Sequence, residues 1–281
     1  MREALYYSKF DDRCICKLCP NKCIIKEGEV GICGTRKQVD GKLYATNYGN
    51  VVGLQIDPIE KKPIYNWHTG TRILSIGSYG CNLRCPFCQN HDLVASRSAG
   101  VSMTPEAVVA QAKSYDLDAI AYTFNEPTVF YEMVYDTARE AKKQGLYNVL
   151  VTNGYINQEP LKALMPYIDA VNIDLKSYSD DKFLAMCGGR LEPVIETIKE
   201  ATKHAHVELT MLMVPELYDD LVAIETFYKC LYDQVGDLTI HLSRYFPSHE
   251  HETPATDIEW MLRVQKAARV YFTEVYLGNV S

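Results

Sequence analysis

Residues 72–90 read RILSIGSYGCNLRCPFCQN, and this stretch decides the fold. Its first part, 73–77, is a short apolar run that predicts a buried parallel strand. Cys81, Cys85 and Cys88 follow in the spacing CxxxCxxC, which suits a loop folded around one face of an iron–sulfur cubane. Because such clusters normally take four cysteines, this triplet leaves one iron open to a chelating ligand. A zinc site completed by a distant Cys or His, or buried thiols without a metal, are the alternatives.

Beyond residue 72, short apolar runs alternate with amphipathic stretches of helical length. This alternation is typical of βα units around a parallel sheet. A helix is predicted over 105–115, with Thr104 as its N-cap and Pro105 at the first helical position. The predicted strands are 73–77, 119–124, 148–153, 170–176, 207–214 and 239–246, with a shorter seventh run at 274–277.

Several predicted strands carry polar residues where a buried parallel strand is expected to be apolar. Side chains alternate across a strand, so these residues share the face opposite the apolar one. Burying polar groups is costly unless they bind something, and many of them lie late in their strands, at the rim where βα barrels hold their active sites. The pattern predicts an interior site. Its polar residues are Thr123, Asn125, Glu126, Asn153, Asn172, Asp174, Lys176, Glu208, Thr210, His241 and Ser243.

A second group of cysteines precedes the predicted barrel. Eight of the ten cysteines fall within 14–88, and clustered thiols in a reducing compartment indicate metal binding more often than disulfides. Zinc and a second iron–sulfur cluster both suit four sulfur ligands, and we favour either metal over free thiols. The predicted ligands are Cys16, Cys19, Cys23 and Cys33, with Cys14 as a spare.

The chain is predicted to divide into a Cys-rich N-terminal segment, 1–71, and a barrel domain, 72–281. Just before the boundary, DPIEKKPIY at 57–65 is charged and punctuated by proline. Two interpretations of this stretch have equal weight: it borders the cluster or a partner, or it is a solvated loop.

Composition restricts the classes of partner and compartment. The 281 residues are 47% hydrophobic, which is enough for one main domain with a small appendage. Lys and Arg number 29 against 36 Asp and Glu, a net charge of −7 without a basic run, so nucleic acid is not the expected partner. The sequence shows no apolar leader and no stretch long enough to span a bilayer. We therefore expect a cytoplasmic protein without membrane contact.

CxxxCxxC with an aromatic residue, Phe87, before its last cysteine resembles the signature of the radical S-adenosylmethionine (SAM) superfamily. The resemblance implies an α/β fold, a partial (β/α)6 TIM-like barrel with the cluster loop after its first strand. It also implies a [4Fe-4S] cluster, SAM chelated to the open iron, and an external electron donor such as flavodoxin or ferredoxin. Reduction then cleaves SAM to a 5′-deoxyadenosyl radical that abstracts hydrogen, the activity of an oxidoreductase.

The resemblance also implies cofactor-binding residues. TFNEPT at 123–128 stands where many members have a GGEP-like turn, although its first-glycine positions differ; a helix start with Asn125 as cap is the alternative. DLK at 174–176 resembles a SAM-binding stretch of glycyl-radical-enzyme activases, and an internal Asp–Lys pair is the alternative. The implied cofactor-binding residues are Phe87, Asn125, Glu126, Asn153, Asp174, Lys176 and His241. Two of them are weaker matches: Asn153, which lies in TNG at 152–154, and His241, which lies in the strand at 239–246.

A wider set of motifs resembles one branch of this superfamily. Residues 16–36, 57–67, 75–90, 241–247 and 275–280 together are similar to the radical SAM component of the AmmeMemoRadiSam system, which is related to pyruvate formate-lyase-activating enzymes. This implies hydrogen abstraction from a protein or peptide, with no catalytic side chain assigned. The alternatives are the same radical chemistry on a small molecule or nucleic acid base, and a non-catalytic metal-binding protein.

Overall fold

The structure, a computed structural model, describes residues 1–96 and 100–280. The strands are β1 (Arg2–Glu3), β2 (Tyr7–Phe10), β3 (Arg13–Cys16), β4 (Ile24–Lys26), β5 (Arg36–Val39), β6 (Lys42–Ala45), β7 (Asn50–Val51), β8 (Gly53–Pro58), β9 (Arg72–Gly77), β10 (Val101–Ser102), β11 (Ala119–Tyr122), β12 (Tyr147–Thr152), β13 (Ala170–Asp174), β14 (His206–Met213), β15 (Thr239–Arg244) and β16 (Val275–Gly278). The helices are α1 (His91–Ala95), α2 (Pro105–Ser114), α3 (Tyr131–Lys143), α4 (Gln158–Leu164), α5 (Asp180–Cys187), α6 (Leu191–Ala201), α7 (Leu221–Val235) and α8 (Ile258–Ala268). Short 3-10 turns lie at Ile59–Lys61, Pro127–Phe130 and Met165–Tyr167.

An eight-stranded sheet in the order β16-β15-β14-β13-β12-β11-β9-β8 forms the centre of the molecule. All neighbours in it pair in parallel except β8, which runs antiparallel to β9. Each of β9 and β11 to β15 is followed by a helix before the next strand, so six βα units curve into a partial barrel. The predicted α/β class and partial (β/α)6 barrel are confirmed.

The predicted strands are all present, and their ends differ by a few residues. Three strands end two residues earlier than predicted, among them the strand predicted over 119–124, which ends at Tyr122. Phe124 has φ of +73°, a left-handed conformation that no strand residue adopts, so the chain must leave the sheet before it. The predicted helix is also confirmed as α2, in which the Thr104 hydroxyl accepts a hydrogen bond from the Ala107 N–H at 3.2 Å.

Residues 57–67, which we call the floor segment, close the amino-terminal end of the barrel. Ile59 and Ile64 are fully buried among the first residues of the barrel strands, including Ile73 and Val149. The solvated-loop interpretation is therefore wrong for this part of the segment. Two apolar side chains hold the segment in place by excluding water from the strand ends.

The floor segment also accounts for two of the polar strand residues. The Asn172 amide donates to the Pro63 carbonyl at 2.8 Å. The Glu208 carboxylate accepts the backbone N–H groups of Tyr65 and Asn66 at 2.9 and 2.8 Å. The prediction that buried polar groups here must bind something holds, but the partner of these two is backbone from the same chain.

The region before β8 forms two small three-stranded sheets, β1-β6-β5 and β2-β3-β4. A buried ion pair docks it on the barrel: the Arg36 guanidinium donates to the Glu132 carboxylate of α3 at 2.7 Å. The predicted N-terminal segment, 1–71, also supplies β8 to the central sheet. Its division from the barrel domain between residues 71 and 72 stays a prediction. Within the described residues, no helix is long and apolar enough to cross a bilayer.

Candidate functional site

A cavity of about 560 Å³ opens at the carboxyl ends of the barrel strands, and we call it the large cavity. Cys81, Cys85 and Cys88, hereafter the loop cysteines, border it from the loop after β9. The structure also brings the ends of β11 to β15 to this cavity, as the rim prediction required. All seven residues predicted to bind the cofactor line it: Phe87, Asn125, Glu126, Asn153, Asp174, Lys176 and His241.

The loop that carries these cysteines, residues 78–90, is called the cysteine loop. Near its start lies Gly80, whose φ of +88° favours glycine and whose missing side chain allows the Cys33 carbonyl to approach. A Cβ there would lie 2.5 Å from that oxygen. The Leu83 N–H is directed at the Cys81 sulfur at 3.4 Å, so backbone geometry orients the first sulfur.

Asn125 holds the cysteine loop in place. Its side-chain oxygen accepts the Ser78 N–H at 2.8 Å, and its amide nitrogen donates to the carbonyls of Tyr79 and Gly80 at 3.1 and 3.2 Å. These bonds use the polar atoms of Asn125 on the loop backbone. The side chain is therefore a positioning group for the loop cysteines at the edge of the cavity.

Glu126 begins the short helical turn after β11. Its carboxylate accepts the Thr128 N–H at 2.9 Å, so the alternative of a helix start is right about the turn but wrong about Asn125 as its cap. The same carboxylate accepts the Thr152 hydroxyl at 2.7 Å and the Asn153 N–H at 2.8 Å, which joins the ends of β11 and β12. Burial raises the pKa of Glu126 in spite of these donors.

Phe124 explains how this turn forms without its first glycine. Its left-handed backbone, at φ of +73°, is one that glycine adopts freely and that a bulky residue adopts at a cost. Its ring lies against Gly53, where a Cβ would come within 2.5 Å, and the Lys62 ammonium is 4.8 Å from the ring centre. Packing against these two neighbours holds the strained residue in place.

Asp174 and Lys176 form an ion pair at 3.1 Å on the wall of the large cavity. The alternative of an internal pair thus describes the geometry without excluding a ligand-binding role, because both side chains line the cavity. Burial disfavours the charged form of Lys176, but Asp174 and the Cys85 sulfur outweigh it, and its pKa is raised. A permanent positive charge therefore faces the loop cysteines.

His241 lies deeper, where the large cavity meets the floor segment. Its Nε2 lies 2.5 Å from a Glu208 oxygen, and its ring contacts those of Tyr65 and Tyr276. His206 lies 2.8 Å from the other Glu208 oxygen. Burial opposes ionisation of Glu208, but these two histidines and the floor-segment N–H groups lower its pKa to about 2. Glu208 thus engages one His241 nitrogen while the ring still lines the cavity.

The barrel interior also contains polar atoms that lack a hydrogen-bond partner among the residues described. Two of them, the Asn172 side-chain oxygen and the Thr210 hydroxyl, belong to side chains that line the large cavity. An unpaired buried polar atom is costly unless a ligand or water satisfies it. These two residues are candidates for ligand contact that the motifs did not identify.

Cys187 is a further residue that sequence reasoning missed. It is fully buried at the end of α5, its side chain neighbours that of Cys85, and its carbonyl accepts the Arg84 N–H at 3.0 Å. The contact raises the pKa of the Cys85 thiol well above its ordinary value. No local signal marks Cys187, because about a hundred residues separate it from its partner in the chain.

The predicted N-terminal metal ligands lie apart from the large cavity. Cys16, Cys19, Cys23 and Cys33, hereafter the N-terminal cysteines, surround a second, small cavity of about 10 Å³. Cys14 does not join them, because its thiol is directed at the Gly41 carbonyl at 3.8 Å. Among residues 1–96 and 100–280, no three His, Cys, Asp or Glu side chains lie close enough together to bind one metal ion. This is true of both cysteine groups.

Comparison with known proteins gives a consistent family. The family model described as the Radical SAM superfamily matches residues 75–227, more than half of the chain. The chain is 42% identical to an uncharacterized protein of Methanocaldococcus jannaschii over 100% of its own length and 86% of that protein. It is 26% identical to a putative glycyl-radical enzyme activating enzyme of the same organism, over 74% of this chain and 79% of the relative.

A solved structure supports the same fold. A radical SAM methyltransferase from Sphaerobacter thermophilus superposes with a TM-score of 0.57 at 15% identity, covering 76% of this chain and 68% of that one. At this identity the likeness concerns the fold alone. The family match and the fold agree with the prediction from the cysteine motif, which is confirmed. The chain belongs to the radical SAM superfamily, whose enzymes use a [4Fe-4S] cluster and SAM.

Proposed function

We propose that Cys81, Cys85 and Cys88 hold the [4Fe-4S] cluster and that the enzyme removes hydrogen from a protein or peptide partner. The observation that carries the proposal is the convergence of these three sulfurs with polar residues of five other strands on one cavity. When bound there, the reduced cluster and SAM supply the 5′-deoxyadenosyl radical. The chain's own residues bind, orient and shield.

The donor set suits this cofactor pair. Three thiols on one loop leave an iron site open, which SAM fills through its amino and carboxylate groups in this family. Cys187, fully buried next to Cys85, does not border the large cavity, so among the described residues no fourth cysteine would compete with SAM for the open iron from within that cavity. The unpartnered Asn172 and Thr210 atoms offer further polar contacts within the same cavity.

The roles of the surrounding residues follow from their contacts. Asn125 fixes the cysteine loop, and Glu126 fixes the turn that joins Asn153 to it. The Asn153 amide lies 3.8 Å from the Cys81 sulfur, near enough to tune that ligand. Lys176 and Asp174 present opposite charges to a zwitterionic ligand. Phe87 and His241 complete the apolar and polar ends of the binding surface.

The size of the cavity supports a macromolecular substrate. A volume of about 560 Å³ is in the range that one drug-sized ligand occupies, and SAM is a ligand of that size. Little enclosed space then remains for a second small molecule. A protein segment can instead present its reacting carbon at the open mouth, and the relative named as a putative glycyl-radical enzyme activating enzyme agrees with this choice.

Two measurements test the proposal. Anaerobically reconstituted enzyme, reduced through flavodoxin or chemically, is expected to release 5′-deoxyadenosine from SAM. Cys88→Ser should abolish release, whereas Cys230→Ser, a change at an exposed cysteine outside the cavity, should not. A protein that contains an intact cluster but never forms 5′-deoxyadenosine contradicts the radical assignment.

The substrate class is tested by isotope transfer. Cells grown in deuterated medium provide a protein fraction, a nuclease-sensitive fraction and a small-molecule fraction, each incubated with enzyme and SAM. Deuterium in 5′-deoxyadenosine only from the protein fraction supports the proposal. Label from the small-molecule or nucleic-acid fraction instead would establish the alternative target.

A further inference from the structure

The N-terminal cysteines form a site that the proposed radical chemistry does not use. We propose that Cys16, Cys19, Cys23 and Cys33 bind a single zinc ion, and that this ion fixes the support against which the cysteine loop packs. The inference does not depend on the proposed function, because it concerns a separate cavity and a metal without redox chemistry.

The backbone around these cysteines is folded into tight turns. The Cys16 N–H donates to the Cys23 carbonyl at 2.9 Å, and the Lys22 N–H donates to the Cys19 carbonyl at 3.2 Å. These turns place the side chains of Cys16, Cys19 and Cys23 around the small cavity, with Cys33 as the fourth cysteine of its lining. A CxxC turn followed by two further cysteines is a ligand arrangement typical of structural zinc sites.

The size of the small cavity selects one ion over a cluster. Its volume of about 10 Å³ is close to that of a single water-sized probe, far below the 560 Å³ of the large cavity. A cubane of four irons and four sulfides does not fit without separating the surrounding turns. One ion is the smaller occupant, and four sulfur ligands in tetrahedral coordination favour zinc.

Arg36 provides independent evidence that a charged group belongs in this cavity. The side chain is 2% exposed and lines the small cavity. One guanidinium nitrogen donates to Glu132, but Nε and Nη2 find no acceptor among the residues described. Unsatisfied charged donors in a protein interior are costly. A zinc ion with four thiolates carries two negative charges, and its sulfurs would accept the free N–H groups.

The same cysteines are connected to the cysteine loop. The Asn21 amide, between Cys19 and Cys23, donates to the Asn82 carbonyl at 2.8 Å. The Cys33 carbonyl packs directly on Gly80, and the Thr35 hydroxyl donates to the Val129 carbonyl at 3.1 Å. A metal that fixes the N-terminal turns therefore also fixes the backbone on either side of Cys81.

The test is the metal content of the full-length protein. Wild type and the triple variant Cys81→Ser/Cys85→Ser/Cys88→Ser are both expected to contain about one zinc per chain, since the triple variant loses only the loop cysteines. Cys19→Ser and Cys33→Ser are expected to lose it. Iron retained by the triple variant would overturn zinc in favour of a second cluster. Absence of both metals from wild type would overturn the site.

Two further measurements keep the test decisive if the cysteine variants do not fold. In wild type, the N-terminal cysteines should resist alkylation until a chelator is added, whereas Cys230 reacts at once. Alkylation that is indifferent to the chelator overturns the proposal.

Arg36→Lys keeps the charge but loses the free donors, and should weaken zinc affinity by about 10–100-fold. Arg13→Lys, at a half-exposed arginine of β3, should leave affinity unchanged.

Discussion

The two cysteine groups of this enzyme use the same side chain in opposite surroundings. The loop cysteines border a cavity of about 560 Å³ that opens at the barrel rim, whereas the N-terminal cysteines enclose about 10 Å³. The charges that face them also differ. Lys176 is paired with Asp174 beside the large cavity, while two nitrogens of Arg36, beside the small one, lack hydrogen-bond partners among the described residues.

This difference shows how surroundings decide what a metal site does. An incomplete ligand set next to an open cavity leaves room for a second molecule at the metal. A complete set in a closed cavity leaves none, and it can only hold the chain together. The predictions below test this division, beginning with the largest effect.

The loop cysteines should control 5′-deoxyadenosine formation and should have no effect on the zinc content. Cys85→Ser is expected to reduce 5′-deoxyadenosine formation to the level of protein without a cluster, because the serine oxygen does not replace a thiolate on iron. The zinc content should stay at about one per chain. Cys187→Ser, at the buried thiol next to Cys85, is the control and should retain the cluster. Loss of zinc from Cys85→Ser would show that the two sites are not separate.

The buried ion pair under the N-terminal cysteines should control stability. Arg36→Met leaves the Glu132 carboxylate, whose side chain is 2% exposed, without its charge partner. We expect the free energy of unfolding to fall by about 3–5 kcal/mol, measured by denaturant titration in the presence of chelator. Arg36→Met/Glu132→Met removes both charges and should recover most of the loss. A double variant no more stable than the single one would contradict this explanation.

Glu208, at the far end of the large cavity, should make the free energy of unfolding depend on pH in the acid range. Its pKa of about 2 in the folded state lies below the ordinary 4.5, so its contribution is present above pH 4.5 and is lost as the pH falls toward 2. The gap between these values corresponds to about 3 kcal/mol. Unfolding measured between these pH values should show a shallower decline in Glu208→Gln. Glu225→Gln, at an exposed residue of α7, should match wild type.

The smallest predicted effect tests whether the two cysteine groups communicate. Asn21→Ala removes the donor to the Asn82 carbonyl of the cysteine loop, and Asn157→Ala removes a donor to the Lys17 carbonyl, away from that loop. Each should cost about 1 kcal/mol of unfolding free energy. Only Asn21→Ala should also lower the rate of 5′-deoxyadenosine formation, by a few-fold. Equal rates in the two variants would contradict the proposed support of the cysteine loop.

Some parts of the site were readable from local sequence. Strand periodicity and turn residues depend on neighbours in the chain, so the seven parallel strands and the rim position of Asp174 and Lys176 could be predicted. The alternative of a helix start placed the cap at Asn125, whereas Glu126 caps the turn, and both residue types are able to do so. The choice depended on the cysteine loop, because its Ser78 N–H occupies the Asn125 side-chain oxygen.

The sequence by itself determined the spacing of both cysteine groups, the alternation that produces the barrel, and the family. Spacing and periodicity are local properties, which is why they survive without coordinates. The tertiary structure decided which cavity each cysteine group borders, that Arg36 and Glu132 meet, and that Cys187 lies beside Cys85. These contacts join residues about a hundred positions apart, and only packing of the whole chain brings them together.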